Sequence, residues 1–111
     1  MDTVIAVVSS GLGGFMIISF GDRVTEDLFH NRTSRRVLRF PPDVAAAAVV
    51  KMDMLNGAAS LIDLRSPPGN RLERLKGNWK GWHSIRVNDQ WRLVFRLSGG
   101  DAHEVRLLDY H

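Results

Sequence analysis

Residues 82–97 read WHSIRVNDQWRLVFRL, and the way this stretch pairs with itself decides the fold. A β-strand puts alternate side chains on opposite faces, so the register of a hairpin follows from parity. With Asn88-Asp89-Gln90 as a three-residue loop, Val87 faces Trp91, Ile85 faces Leu93 and His83 faces Phe95. A two-residue loop would set apolar residues against polar ones. The odd-numbered positions then form the core face, and the even-numbered face carries Arg86 directly opposite Arg92, with Arg96, Arg106 and Tyr110 nearby. Like charges directly opposite on adjacent strands are destabilising. Two readings of the pair follow. The guanidiniums are solvated or paired with Glu73 or Glu104, or they form an anion site in which two planar, permanently charged forks converge on a phosphate.

Downstream, a five-residue loop at Ser98–Ala102 sets Phe95 against Val105 and Leu93 against Leu107, giving a last strand over His103–Tyr110. Upstream, Ser66-Pro67-Pro68-Gly69-Asn70 is a rigid turn, and Arg71–Lys76 reads as the strand that follows it. Before the turn the pattern is helical. Gly21-Asp22 offers a turn and N-cap for Arg23–His30, and Val24 and Leu28 recur four apart. Pro41-Pro42-Asp43 starts an Ala-rich helix over Val44–Asn56, with Asp43 able to cap and Gly57 as the stop. Its apolar positions run nearly all round, which predicts packing between the sheet and either the first helix or a partner. Ile17-Ile18-Ser19-Phe20, after Met16, reads as a first strand.

At 111 residues with 44% hydrophobic and 24% charged side chains and no cysteine, the chain fits one globular domain without thiolate metal sites, thiol nucleophiles or disulfides. The formal net charge is only +3, but its distribution is uneven. Residues 65–96 carry eight basic side chains against Glu73 and Asp89, a segment charge of +6, while the remainder sums to −3. Residues 1–15, small and Gly-rich with Asp2 as the only charge, read as an extension or start-site over-call ahead of a single domain at 16–111. They lack the positive n-region of a secretory signal, and no run of about 20 uninterrupted apolar residues spans a membrane.

The chain has no HExxH, no histidine pair at metal spacing and no GxSxG, so the expectation is an activity without metal or cofactor. His30, His83 and His103 are isolated and read as structural or exposed. Arginines, a lysine and the terminal Tyr110-His111 fit RNA cleavage by the substrate's own 2′-OH. Such a protein need only align the 2′-OH with phosphorus, neutralise charge on the phosphoryl oxygens and assist proton transfer. Trp79 and Trp82 could stack a base, though packing reads equally well.

The segments MIISFGDRVTEDLF, FPPDVAAAAVVKMDML, PPGNRLERLKG, GWHSIRVNDQWRLVFR and terminal LLDYH together resemble the HigB toxins of the RelE/ParE superfamily, over about Met16–His111. The resemblance implies an α+β fold, two N-terminal helices packed on a twisted, mainly antiparallel sheet. It also implies a cytoplasmic, ribosome-dependent mRNA endonuclease acting in the 70S A site, neutralised by a HigA-like helix-turn-helix antitoxin. Carried over, Arg86 and Arg92 would bind the scissile phosphate, and Lys76, the lysine of LKG, is a further catalytic candidate that helps neutralise the developing charge. His111 would be the acid/base candidate and Tyr110 would orient substrate. Arg71, Arg74, Lys80, Trp82 and Arg96 are the candidate RNA contacts. Some related toxins place a histidine just before LKG, where this chain has Glu73 and Arg74. The competing expectations are a ParE-like gyrase inhibitor that cleaves nothing and a decayed module that only binds ribosome or RNA.

Overall fold

The computed structural model describes residues 14–109, in which two α-helices precede an antiparallel sheet of order β1-β2-β3-β4. Helix α1 spans Arg23–Phe29 and α2 Pro42–Leu55. The strands are β1 Glu73–Arg74, β2 Trp82–Arg86, β3 Trp91–Ser98 and β4 Asp101–Asp109. This is the expected α+β arrangement.

Helix α1 begins as predicted, with the Asp22 carboxylate accepting from the Thr25 amide at 2.9 Å. Thr25 is fully buried and its hydroxyl accepts from the Leu107 amide at 3.0 Å, so the helix is tied to β4 by a hydrogen bond as well as by packing. In α2 the buried residues are Val44, Ala48, Met52 and Leu55, one stripe at helical spacing. The helix packs on both α1 and β3 and leaves Val50 exposed on its outer side. Asp43 does not cap it. The cap position is Pro41, two residues earlier than the sequence suggested, so Asp43 sits within the first turn, near the positive end of the helix dipole.

Met52 and Leu55 meet Ile85, Leu93 and Phe95 in the core, all at zero exposure. Truncating a core residue such as Met52 to alanine would cost about 2–5 kcal/mol, the lost burial plus the cavity left behind.

The β2–β3 hairpin has the predicted register: His83 pairs with Phe95, Ile85 with Leu93 and Arg86 with Arg92. Asn88 shapes the loop, its Oδ1 accepting from the amides of Gln90 and Trp91, both at 2.8 Å. The β3–β4 hairpin differs. Ser98 pairs with Asp101 across a tight Gly99-Gly100 turn, both glycines at positive φ, in place of the predicted five-residue loop. That would have thrown the face pattern out by one residue. A bulge between Val94 and Arg96, with Glu104 at φ 55°, restores it, and Leu93 pairs with Leu107 as expected while Phe95 and Val105 have no direct ladder pairing.

The predicted first strand is only partly a strand. Ile17 and Phe20 form isolated parallel bridges to Ala102 and Val105. Between them the Glu104 amide turns to the Ser19 hydroxyl at 2.9 Å, so the bulge that repairs one ladder interrupts the other. The segment is nevertheless anchored: Met16 N donates to Asp101 Oδ1 at 3.0 Å and Phe15 N to Ala58 O at 2.7 Å. Residues 1–13 of the expected extension lie outside the described residues. The predicted strand over Arg71–Lys76 shrinks to Glu73–Arg74, because Arg71 takes a left-handed conformation at φ 45° and Gly77–Trp79 turns as a short 3-10 helix.

Candidate nucleic-acid interface

The face of β2 and β3 away from the helices carries Arg86 and Arg92 side by side, their Cα atoms roughly 4.5–5.5 Å apart as in any directly opposed antiparallel pair. Each guanidinium has its own carboxylate. Arg86, about one third exposed, is bonded to Asp89 in the hairpin loop just beyond it. Arg92 is 8% exposed; its Nη2 donates to the Arg71 carbonyl at 2.7 Å and lies 3.3 Å from Glu73 Oε1. Both readings of the pair therefore hold in part. The carboxylates offset the mutual repulsion, and the two cations remain adjacent at one end of the sheet.

The register sorts the remaining candidates. Arg96 pairs with Trp82 on the same face, four positions along β3 from Arg92. Leu75 N donates to Trp82 O, so Lys76 follows at the Trp82 end of the sheet. From the β1–β2 register it stands five residues, roughly 17 Å, along the strand from the level of Arg86. Lys76 is thus not beside the Arg86–Arg92 pair. With Lys80, Trp82 and Arg96 it marks the far end, where Trp79 and Trp82 pack edge to face at 5.0 Å and Arg96 Nε donates to Glu104 at 3.0 Å. Trp79 is 36% exposed, enough to offer one ring face. Arg74 falls on the other side. It pairs with His83, whose ring stacks on Phe95 beneath the sheet. Arg71 is exposed near the Arg86 end, held over the sheet by the turn at Pro68–Asn70 that packs on β2.

Tyr110 and His111 lie outside the described residues. The strand that leads to them ends with Asp109 paired to Trp91, the neighbour of Arg92, and Asp109 Oδ2 accepts from Gln90 Nε2 at 3.1 Å.

His83 is 8% exposed and neither ring nitrogen has a hydrogen-bond partner. Burial, and then the charge of Arg74, lower its pKa below the ordinary 6.5, so it is a neutral core group, as the sequence suggested. His103 Nε2 contacts the Ser98 carbonyl at 3.3 Å, and His30 packs edge-on to Phe20 and Phe29. Among the described residues no group of three or more His, Cys, Asp or Glu lies together as metal ligands would. None of their helices is long and apolar enough to cross a membrane.

Sequence reasoning missed Asn70, a fully buried side chain in the turn that carries Arg71. Its place after Pro67-Pro68-Gly69 marks a turn residue and nothing more. It missed Asp89 as the partner of Arg86 for a similar reason, since a loop aspartate has a local explanation already.

Residues 18–111 match the family of HigB-like toxins, described as RelE-like toxins of the type II toxin–antitoxin system HigB. The chain is 41% identical over 87 residues to Toxin HigB-1 of Vibrio cholerae serotype O1, covering 78% of this chain and 90% of that protein. It is 33% identical over 66 residues to Endoribonuclease HigB of Proteus vulgaris, covering 54% and 72%. Two crystal structures of YafQ from E. coli, one of them of a mutant, superpose with TM-scores of 0.57 and 0.53 at 18% and 17% identity. Each comparison covers 86% of this chain and 93% of the other, and they establish the likeness of fold.

Proposed function

The chain belongs to the HigB-like toxins of type II toxin–antitoxin systems, and from that premise we propose that it is a metal-independent endoribonuclease that cleaves mRNA in the A site of the 70S ribosome and so arrests translation. One relative being named an endoribonuclease supports the reaction class. The observation that carries the reading is the opposed pair Arg86–Arg92, two like charges kept side by side on one face of the sheet and each steadied by a different carboxylate.

The substrate's 2′-oxygen attacks the adjacent phosphorus, the bond from phosphorus to the 5′-oxygen breaks, and the products are a 2′,3′-cyclic phosphate and a 5′-hydroxyl. Negative charge builds on the phosphoryl oxygens in between. Arg86, the more exposed of the pair, meets those oxygens directly. Arg92, already fixed by Glu73 and the Arg71 carbonyl, supplies a second positive charge that needs no reorganisation during the reaction. Its partial neutralisation by Glu73 keeps the empty site from repelling itself apart. Lys76, Lys80, Trp82 and Arg96, farther along the same sheet, bind flanking nucleotides by charge and stacking, with Arg71 at the near end. Arg74, on the other side of the sheet, is left out of this set.

By the family resemblance, His111 exchanges the protons of the 2′-hydroxyl and the leaving 5′-oxygen, and Tyr110 orients the substrate. The neutralising partner is a helix-turn-helix antitoxin, and the toxin acts in the cytoplasm, where ribosomes are. The experiment is induction of the chain in growing cells, with mapping of mRNA 5′ ends. Growth arrest with new ends inside translated codons, both abolished by Arg86→Ala, supports the proposal. Arrest without new ends, accompanied by loss of DNA supercoiling, turns it toward gyrase inhibition.

A further inference from the structure

We propose that Asn70, anchored by Lys51 of α2, is the positioning residue that fixes Arg92 at the reaction centre through the Arg71 carbonyl. The inference rests on the nuclease reading for its consequence in rate, but its geometry stands by itself.

Asn70 has no exposed surface, and its side-chain amide is used at both ends. Oδ1 accepts from Lys51 Nζ, and Nδ2 donates to the carbonyls of Leu64 at 3.1 Å and Ser66 at 3.3 Å. Nδ2 also donates to the Met54 sulfur at 3.8 Å; with acceptors around the donor end and the ammonium at the acceptor end, the amide has one orientation that satisfies it. The backbone adds Asn70 N to Pro67 O at 2.9 Å and Arg71 N to Pro68 O at 3.1 Å. Arg71 follows at φ 45°, ψ 55°, a left-handed conformation that is unfavourable for a non-glycine residue and persists where neighbours impose it.

Two residues later Glu73 enters β1 and pairs with Ser84. The Arg71 carbonyl is therefore held from both sides, by the Asn70 network before it and the sheet after it. That carbonyl receives Arg92 Nη2 at 2.7 Å. A helix on one side of the sheet thus sets the rotamer of an arginine whose guanidinium serves the other. Buried polar networks that are fully satisfied hold one conformation, whereas an apolar residue at position 70 would leave the turn with its backbone bonds alone.

The test uses Asn70→Ala and, because a buried substitution can fail to fold, Lys51→Met, which leaves the Asn70 bonds to Leu64 and Ser66 intact. Two readouts are taken. The first is the side-chain Nε–H signal of Arg92 in the NMR spectrum, assigned from Arg92→Lys, which needs no substrate. The second is cleavage by programmed ribosomes, with kcat and KM separated.

Positioning predicts that the Arg92 signal shifts or broadens in both variants. It also predicts that kcat falls about 10- to 100-fold in Asn70→Ala, with KM within about two-fold. In an Arg92→Ala background Asn70→Ala should cost nothing further. A folded Asn70→Ala or Lys51→Met with an unchanged Arg92 signal overturns the proposal, and so does an equal loss of kcat in the Arg92→Ala background. If the wild-type chain cleaves nothing, the nuclease reading falls separately, and the Arg92 signal by itself decides whether Asn70 fixes that side chain.

Discussion

Arg86 on β2 stands directly opposite Arg92 on β3, and the two are held by carboxylates from different elements, Asp89 from the hairpin loop and Glu73 from the edge strand β1. The sheet thus keeps two like charges adjacent, each beside a carboxylate of a different element. A phosphate entering between them competes with Asp89 for Arg86 and with Glu73 for Arg92.

Glu73→Gln removes one of those competitors and keeps the shape. RNA affinity should rise, and the dependence of binding on salt should steepen, as expected when a carboxylate that competes with the phosphate for Arg92 is removed. Glu73 is more than half exposed, so the loss of stability should be modest, up to about 1 kcal/mol. Binding titrations over a salt series, with thermal melts alongside, measure both.

His83 makes stability depend on pH. Its pKa in the folded chain lies below 6.5, because burial and the neighbouring Arg74 disfavour the imidazolium. The unfolded chain therefore takes up a proton near pH 6.5 that the folded chain refuses. The contribution of His83 is fully present above that pH and is lost as pH falls from it toward the folded-state value. Melting temperature should drop as pH falls below about 6.5, and His83→Phe should flatten that part of the profile.

Gly21 has a steric reason to be glycine. A Cβ there would lie 2.7 Å from Arg106 Nε and 3.0 Å from the Glu104 carbonyl. Gly21→Ala should destabilise the chain by about 1–3 kcal/mol. Arg106→Ala in the same chain should restore only part of the loss, since the Glu104 carbonyl remains. Denaturant unfolding of the three variants gives the comparison.

Much of this was legible in the residues, and what was not has physical causes. Parity places Arg86 opposite Arg92 because the Asn88 loop leaves one register that buries Ile85, Leu93 and Phe95 together. The next hairpin misleads because two departures cancel, a tight Gly99-Gly100 turn and a bulge at Glu104, a non-glycine residue in a conformation its type does not announce. Lys76 and Arg74 could not be placed from a strand only two residues long, since its register depends on which single pairs form. Asn70 was invisible because its work is done by contacts with Lys51, Leu64 and Ser66, which turn propensity does not encode.

The central claim is that the arginine pair serves RNA cleavage on the ribosome. Its most direct test incubates mRNA with purified protein, with and without programmed 70S ribosomes, maps new ends and assays 2′,3′-cyclic phosphate, with Arg86→Ala and Arg92→Ala in parallel. The account predicts cuts that require the ribosome and fall about 10²–10³-fold in rate in the Arg86 variant, with ribosome association largely retained. Cleavage by both variants at the wild-type rate would contradict it.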